Sequence, residues 1–386
     1  MAFDILHTTI SPCDNERRIF NEAISAGKQG YQVGIVALKT PELPASSQLD
    51  GIRLERISIK RWQGGPLKFL AFNLKLFRRL LGYDFRVLHC HDLWVLPASA
   101  AAACWRRSRL VYDAHEFYRG LEIFLRKKVA GFIWAITEWI FIKKVDTLIS
   151  INRYHAELFR NTYPALSCID ILFNFPSLAA IALTEQPLLF RERENKVVFQ
   201  GILKAGRALP ELIEAMGSVA GGRIEFLGHG EIENELQQLT ARKNLQDRII
   251  FRGKKDWNSL LQETQKARAG LVLFQPRSKN YAYATPNKFF EYVMAGTPVI
   301  ASDIATFRDL NAEFEVAVLV SPESIPDISK AITLLLTDAE RWNRLHENCL
   351  QARKKWNWEA QEKVLIDIYR NLLKEDGPRP QKSSAS

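Results

Sequence analysis

Short apolar runs alternate with longer stretches of helical periodicity along most of this chain. The runs are rich in β-branched residues, which is typical of buried strands. They read FDILHTTI, QVGIVAL, RVLHCH, RLVYDAH, DTLISI and CIDILFN in the first half, and KVVFQGI, RIEFLG, RIIFRG, GLVLF, TPVIAS and VAVLVS in the second. This alternation predicts an α/β fold with parallel sheets covered by helices on both faces. Ligands of such sheets bind beyond the carboxyl ends of the strands, so the residues that follow each strand are the candidates for function.

A polar segment separates the two series of strands. The 386 residues exceed one ordinary domain of roughly 100–200 residues. Residues 184–196 are charged and contain Pro187, so we predict a linker there. The sequence therefore predicts an N-terminal domain over residues 1–183 and a C-terminal domain over residues 197–360, with a cleft between them. The Pro- and Ser-rich residues 375–386 are predicted to be disordered.

Composition narrows the choice of partner without fixing it. Hydrophobic residues make up 47% of the chain and charged residues 25%, as in an ordinary globular protein. The net charge of +10 favours phosphates, nucleic acid or an anionic membrane surface. Nucleic acid is the least favoured of these, because no helix–turn–helix, zinc finger or RNA-binding aromatic strand is visible. The five cysteines are scattered and form no C-x-x-C pair, which indicates a reducing compartment rather than a disulfide framework.

The sequence also bears on membranes. It shows no signal peptide and no apolar stretch of the roughly 18–20 residues that a spanning helix needs, so we expect a cytoplasmic protein, peripheral at most. Residues 61–79 and 121–144 nevertheless combine aromatic and aliphatic side chains with lysines and arginines. Such segments lie in a bilayer interface in some proteins. Two core-packing helices with solvated lysines would give the same pattern, and both interpretations stay open.

The most informative run is NYAYATPNKFFEYVMAGTPVIASD, residues 280–303. Pro286 predicts a helix start with proline in the first turn, and Gly296 predicts the helix end. A helix N-terminus that follows a strand suits a phosphate, and Lys288 would add a cation there. Glu291, about one turn further, could accept hydrogen bonds from a ribose diol. A capped core helix with a surface lysine and glutamate explains the same residues equally well.

This run resembles the donor-site signature of retaining GT-B glycosyltransferases of the large family-4-like group, in which P-x-K-x-x-E-Y-M-A-x-G-x-P-V-I recurs. The matching residues are Pro286, Lys288, Glu291, Tyr292, Met294, Ala295, Gly296, Pro298, Val299 and Ile300. The resemblance implies the GT-B fold, which is two Rossmann-like domains facing a cleft. It also implies a UDP- or GDP-linked sugar donor as substrate, no cofactor, and ribose binding by Glu291. The family's other glutamate of this region falls at Tyr283, so its usual sugar contact is absent or made differently.

The same resemblance extends along most of the chain. It implies a diphosphate clamp formed by Arg207 and Lys288, and a helix over residues 361–374 that crosses back to the first domain. The further donor-binding candidates are Gly201, Gly228, Gly230, Lys254 and Asn287.

In the N-terminal half, the resemblance places His115 opposite the transferred sugar, with Glu116 as a base if the enzyme inverts. His89 and His91 share one face of a strand. They suggest a metal site, but no further ligands stand at a recognisable spacing, and the family carries a similar H-x-H-D strand end without metal. The chain also lacks D-x-D, so we predict no metal site and metal-independent catalysis.

The first loop offers candidate acceptor contacts at Asp14, Asn15 and Arg17, although Asp14 or Asn15 could simply cap the following helix. The resemblance implies a retaining transferase, and the basic amphipathic segments favour a membrane-associated acceptor, either lipid-linked or a polysaccharide. The alternatives are a nucleotide-sugar 2-epimerase of the same fold and a non-catalytic sugar-nucleotide-binding protein.

Overall fold

The computed structural model describes residues 1–14, 16–59, 65–180 and 187–374, without the side chains of residues 65, 66, 125 and 126. The described chain forms two compact units. Unit 1 contains Met1–Phe173 and the residues from Gln361 onward, and unit 2 contains Asn174–Ala360. The predicted disordered tail, residues 375–386, lies outside the described residues.

Unit 1 is built on an eight-stranded sheet of order β3-β4-β2-β1-β5-β6-β7-β8. Its strands are β1 (Ala2–Thr8), β2 (Val33–Leu38), β3 (Ser46–Leu49), β4 (Ile52–Ile57), β5 (Asp84–His91), β6 (Arg109–Ala114), β7 (Thr147–Ser150) and β8 (Ile169–Ile171). All pairings are parallel except that of β3 with β4. That hairpin is missing from the prediction, although Asp50-Gly51 signals it. Both residues have positive φ (48° and 80°), as a two-residue hairpin turn requires.

Helices flank this sheet on the crossovers between its strands. They are α1 (Arg17–Lys28), α2 (Gly65–Leu80), α3 (Leu96–Arg106), α4 (Glu122–Arg126), α5 (Lys128–Phe141) and α6 (Arg153–Thr162). The strands β1, β2, β5 and β6 are nearly continuous in buried residues, as expected of parallel strands covered on both faces.

Unit 2 contains a fully parallel six-stranded sheet of order β11-β10-β9-β12-β13-β14. Its strands are β9 (Glu194–Gln200), β10 (Arg223–Leu227), β11 (Ile249–Phe251), β12 (Ala267–Val272), β13 (Val299–Ser302) and β14 (Ala317–Val320). Its helices are α7 (Leu209–Met216), α8 (Glu233–Arg242), α9 (Trp257–Lys266), α10 (Lys279–Ala282), α11 (Asn287–Met294), α12 (Ala305–Glu313), α13 (Ile325–Thr337) and α14 (Ala339–Ala352). The last helix, α15 (Trp358–Lys374), begins in unit 2 and continues in unit 1.

All twelve predicted strands are present, and the α/β class is confirmed. In unit 1 the chain order reverses at β1, which lies between β2 and β5. In unit 2 it reverses at β9, which lies between β10 and β12. Such reversals leave a crevice at the carboxyl ends of the strands, where ligands of open α/β sheets bind. Each unit therefore has one preferred place for a site.

The unit boundary differs from the predicted one at residue 183. Unit 2 begins at Asn174, because Phe175 packs against Phe290 and Trp356, with ring centroids 4.7 and 6.4 Å apart. The end of the predicted linker is also strand, since β9 starts at Glu194. Hydrophobic contacts determine the boundary of the unit, and the polarity of the local sequence does not reveal it.

Candidate active site

Unit 1 collects polar side chains at the carboxyl ends of its three central strands. His7 pairs in register with His89, and His91 pairs with Asp113. Helix α1 adds Arg18 and Glu22, four residues apart and therefore on one helix face. His115 follows directly after β6. All of these side chains are buried except that of His115, which is 26% exposed.

Arg18 and Asp113 form the centre of this cluster. The guanidinium donates from Nε to Asp113 Oδ2 and from Nη2 to Oδ1, both at 2.7 Å, and from Nη1 to the Leu172 carbonyl at 3.0 Å. Its Nε also lies 3.1 Å from Glu22 Oε1. Burial opposes the charge of Asp113, but Arg18 and His115 outweigh it and hold the pKa of this carboxyl well below its usual range. Asp113 is therefore a fixed, fully paired anion.

His115 lies between two carboxylates. Its Nε2 is 3.0 Å from Asp113 Oδ2, and its Nδ1 is 3.5 Å from Asp92 Oδ2. Burial disfavours the charged ring, but Asp92 and Asp113 outweigh burial and raise the pKa of His115 to about 9. The ring is then an imidazolium at neutral pH, which can donate hydrogen bonds but cannot accept a proton. Glu116, the other predicted catalytic residue, is exposed.

Three histidines form a buried stack beside this pair. The rings of His7, His89 and His91 lie within 10–23° of parallel, with centroids 4.5–5.2 Å apart. Together with Glu22 they offer four potential metal-ligand atoms within 4.8 Å of one another. The spacing of residues in the sequence had not indicated that His7 and Glu22 lie beside His89 and His91. His7 Nδ1 and His91 Nε2 lie 2.9 Å apart in a hydrogen bond, so these two ring nitrogens pair with each other. Burial also lowers the pKa of all three rings, which favours neutral imidazoles.

The predicted acceptor residues lie next to this cluster in sequence. Asp14 is exposed, Arg17 is half-buried, and Asn15 lies outside the described residues. Capping by Asp14 is wrong, because α1 begins after Glu16, whose carboxylate accepts a hydrogen bond from Ser11 Oγ at 2.8 Å. Arg18 contacts the cluster directly. The buried positions Ile19, Ala23 and Ala26 on the same helix face are the signal that would have identified it.

In unit 2 the loop after β9 explains the predicted glycines. Gly201 has φ +115°, which a residue with a side chain rarely adopts. A Cβ on Gly228 would lie 1.9 Å from the carbonyl oxygen of Gly201, and one on Gly230 would lie 2.0 Å from that of Leu203. These two glycines therefore let two loops pack backbone against backbone beyond the strand ends. This close backbone packing is a structural reason for glycine at both positions.

Lys288 is a buried cation beside this loop. Its Nζ lies 3.6 Å from the centroid of the Phe199 ring and has no hydrogen-bond partner among the described residues. Burial and the nearby Arg207 guanidinium lower the pKa of Lys288 well below its usual range. Helix α11 begins one residue earlier, at Asn287. The sequence predicted Pro286 in the first turn of this helix. In the structure Pro286 is instead the N-cap residue, in an extended conformation.

Arg207 lies on the same loop. It donates from Nη1 to the carbonyl of Ile202 at 3.0 Å, and its guanidinium carbon lies 5.7 Å from the centroid of the Phe274 ring. This loop packs closely against Tyr281, since a Cβ on Gly206 would lie 2.4 Å from the Tyr281 ring. The structure thus brings together the two cations that the resemblance assigns to a diphosphate clamp.

Glu291 is oriented by residues that the sequence analysis missed. Gln200 donates to it from Nε2, and Trp257 donates from Nε1 at 3.3 Å. The oxygen of the Gln200 amide accepts from Thr264 Oγ1 at 3.1 Å, which fixes the direction of the amide. Gln200 ends β9 and Trp257 starts α9, so only the tertiary fold brings them to Glu291.

The remaining donor candidates lie at the edge of this group. Asn287 is exposed, and its Oδ1 accepts a hydrogen bond from Asn174 Nδ2 at 2.9 Å. Lys254 is exposed, and Tyr283 is half-buried at the end of α10. Among the described residues, no helix combines the length and the apolar character needed to cross a bilayer.

Two family models match consecutive parts of the chain. One is described as Glycosyltransferase Family 4 and covers residues 16–174, and the other, Glycosyl transferases group 1, covers residues 182–354. No curated protein sequence matches the chain significantly.

Solved structures with the same fold cover nearly all of this chain. Sucrose-phosphate synthase from Thermosynechococcus elongatus aligns with a TM-score of 0.75 and 18% identity, over 96% of this chain and 99% of its own. HepE from Anabaena, solved with UDP and glucose, gives 0.72 and 14% over 96% and 100%. WaaG, a glycosyltransferase involved in lipopolysaccharide biosynthesis, gives 0.71 and 13% over 95% and 99%. The chain therefore belongs to the family-4-like, group 1 glycosyltransferases, which are nucleotide-sugar-dependent enzymes of the GT-B fold.

Proposed function

We propose that this enzyme transfers a sugar from a UDP- or GDP-linked donor, bound by unit 2, to an acceptor held at an anionic membrane surface. We further propose that the transfer retains the anomeric configuration, as the family resemblance implies, and needs no metal. The observation that carries the donor assignment is Lys288, a buried ammonium group with no described hydrogen-bond partner. Burying a cation is energetically unfavourable unless an anion pairs with it, and a diphosphate would provide that anion.

The proposed chemistry rests on charge. The bond between the sugar and the diphosphate breaks during transfer, and negative charge develops on the leaving diphosphate. Arg207 and Lys288 would meet this charge from fixed positions, which is the strongest catalytic device that a protein has. Such a clamp takes over the role of a divalent cation, which is the basis for proposing metal independence. Glu291, held by Gln200 and Trp257, would accept hydrogen bonds from the ribose.

In unit 1 we propose that His115 serves the transferred sugar. An imidazolium at this position would donate a hydrogen bond or stabilise negative charge, whereas it could not act as a base. This assignment favours His115 over Glu116 and fits a retaining transfer without a protein nucleophile.

A thermal-shift panel tests the donor site directly. UDP, GDP, UDP-glucose, UDP-galactose and GDP-mannose would be added to the protein with and without EDTA. A ligand at about 100 times its Kd adds roughly 2.7 kcal/mol of stability, which is easily measured. We expect one nucleotide series to stabilise the protein equally with and without EDTA. HepE was solved with UDP-glucose, so UDP is tested first.

Two variants complete the test. Glu291→Ala should abolish the stabilisation, and Glu323→Ala, which removes an exposed loop carboxylate of unit 2, should leave it unchanged. If no nucleotide stabilised the folded protein, the donor assignment would be wrong. A shift that EDTA removed would contradict metal independence alone.

The membrane part of the proposal rests on helix α5 of unit 1, whose buried face carries a carboxylate and whose exposed face carries apolar side chains. The helix α5 buries its carboxylate, since Glu138 is fully buried and accepts hydrogen bonds from Tyr112 and Tyr163. Trp134 and Phe141 pack against the core, but most of its other large apolar side chains are exposed. The apolar residues of α4 and α5 that are 42–76% exposed are Ile123, Val129, Phe132, Ile133, Ile136, Trp139 and Ile140.

Helix α2 extends this surface. Its inner face is ordinary core, with Phe72 and Leu76 fully buried, whereas Leu67, Leu70 and Leu74 are 50–58% exposed. Phe69 of α2 contacts Trp134 of α5, with ring centroids 5.2 Å apart, so the two helices are neighbours. We call the exposed apolar residues of α2, α4 and α5 the apolar ridge. The exposed lysines 75, 127, 128 and 143 lie along the same helices or just beyond their ends, which suits anionic headgroups.

Co-sedimentation with vesicles tests this surface. We expect binding to phosphatidylglycerol-containing vesicles at low salt and little binding to phosphatidylcholine alone. The double variant Phe132→Glu, Trp139→Glu should lose binding, and Leu189→Glu, which changes an exposed leucine of unit 2, should retain it. Equal binding by both variants would contradict the assignment of the ridge. No binding by the unaltered protein would contradict the membrane-held acceptor.

A further inference from the structure

The backbone of Asp92 is strained at a functional position. This residue follows β5 and has φ 69° and ψ 161°, a region that is essentially restricted to glycine. Its N–H donates to the carbonyl of Asp113 at 3.0 Å, so the strained bend is tied to the end of β6. A glycine would adopt this conformation without strain. The aspartate side chain must therefore do something that offsets the strain.

The Asp92 side chain is directed at His115. One carboxylate oxygen, Oδ1, accepts a hydrogen bond from the backbone N–H of His115 at 3.3 Å, and the other, Oδ2, lies 3.5 Å from its Nδ1. The carboxylate thus contacts both the main chain and the ring of the same residue. Its side chain is 24% exposed, similar to the 26% of His115, while Asp113 on the other side of the ring is fully buried.

The two carboxylates therefore hold the ring differently. Asp113 is fully occupied by Arg18 and fixes Nε2 from inside the unit. Asp92 contacts Nδ1 at the partly exposed edge. The Asp92 carboxylate also forms a side-chain hydrogen bond with the buried Tyr118, so it links that tyrosine to the ring of His115.

We propose that Asp92 is a positioning residue for His115, which fixes the orientation of the ring and stabilises its charged form beside the transferred sugar. The proposal rests on the proposed function of His115, and its structural part can be tested without turnover. The charged or titratable groups that face His115 are Asp92, Asp113, His91, Arg18 and Glu22. Asp92 can be replaced without removing either partner of the buried Arg18–Asp113 pair.

The first experiment is an NMR titration of the His115 ring in three proteins. These are the unaltered enzyme, Asp92→Asn, which keeps the shape and removes the charge, and Asp50→Gly. Asp50 is an exposed hairpin residue with φ 48°, so its replacement by glycine is a matched control for a left-handed aspartate. We expect Asp92→Asn to lower the pKa of His115 by about one unit, a tenfold change in proton affinity. The Asp50→Gly protein should titrate like the unaltered enzyme. An unchanged His115 titration in Asp92→Asn would overturn the proposal.

The second experiment uses Asp92→Gly, which removes both the strain and the carboxylate. Loss of the strain and loss of the carboxylate act on stability in opposite directions, so the readout is turnover of the nucleotide sugar identified by the panel, which should fall at least tenfold in kcat. Nucleotide binding by unit 2 should not change. Full kcat in this variant would contradict the positioning role of Asp92. Absence of turnover in the unaltered enzyme would contradict the proposed function instead, and the titration would still decide the role of Asp92.

Discussion

Arg18 of unit 1 and Lys288 of unit 2 are buried side chains near the carboxyl ends of the strands, and they differ in how they are paired. Arg18 of unit 1 donates to Asp113 and to the Leu172 carbonyl, and it also lies against Glu22. Lys288 of unit 2 lies over the Phe199 ring with no hydrogen-bond partner in the described chain. Their pKa values move in opposite directions, since that of Arg18 is raised and that of Lys288 is lowered.

This difference separates a structural charge from a binding charge. A buried ion that has all its partners costs little and fixes its neighbours in place. A buried ion without an anion is unfavourable until a ligand supplies one. The Arg18–Asp113 pair is thus formed in the free protein, while Lys288 lacks a pairing anion among the described residues, which a diphosphate would supply.

The largest expected effect is on the paired cation. Arg18→Met should lower the free energy of unfolding by about 3–5 kcal/mol, because it removes the guanidinium that pairs with the buried Asp113 carboxylate. Chemical denaturation measures this loss. Arg17→Met, which changes the neighbouring half-buried arginine, is the control and should cost much less. If the two variants were equally stable, Arg18 would not be the structural charge that the comparison requires.

The second prediction concerns Lys288, the unpaired cation, whose replacement should not lower the free energy of unfolding. Lys288→Met should leave the free energy of unfolding unchanged or raise it, since a costly buried ammonium is replaced by an apolar side chain of similar length. The same change should weaken nucleotide diphosphate binding by about 10- to 100-fold, the loss of a charge-assisted hydrogen bond worth about 1.5–3 kcal/mol. Calorimetric titration with the nucleotide from the panel measures the affinity. A strongly destabilised Lys288→Met protein would show that the lysine has a structural role instead.

The smallest effect is a dependence of stability on pH in unit 1. The pKa of His115 is raised to about 9, above the usual value of about 6.5 in an unfolded chain. A raised pKa means that the folded protein binds the proton more tightly, so the contribution of His115 is complete below about pH 6.5 and is lost as the pH rises through about 9. The difference in unfolding free energy between the unaltered protein and His115→Gln should shrink over this range.

The exposed His229 of unit 2 provides the control for this measurement. His229→Gln should not reproduce the loss of stability around pH 9. A difference for His115→Gln that stayed constant from about pH 6 to 10 would mean that Asp92 and Asp113 do not stabilise the charged ring.

The sequence by itself determined the α/β class, the twelve strands and the order of the two halves, because local apolar patterns report directly which segments are buried. It also determined Gly201, whose φ of +115° suits glycine, and it placed Lys288 and Arg207 near one another through a family motif. These features depend on short-range patterns or on a motif contained in a single segment.

Only the tertiary structure decided which side chains meet. His7, Glu22 and His91 come from β1, α1 and β5, and Gln200 and Trp257 reach Glu291 from different elements. The exposed apolar face of α5 likewise follows from the burial of Glu138 among tyrosines of β6 and the end of α6. Contacts between distant segments depend on strand order and register, which no local pattern contains. For that reason the sequence predicted the places of the two clusters, while the fold determined that Arg18 is paired with Asp113 and that Lys288 lacks an anion in the described part of the chain.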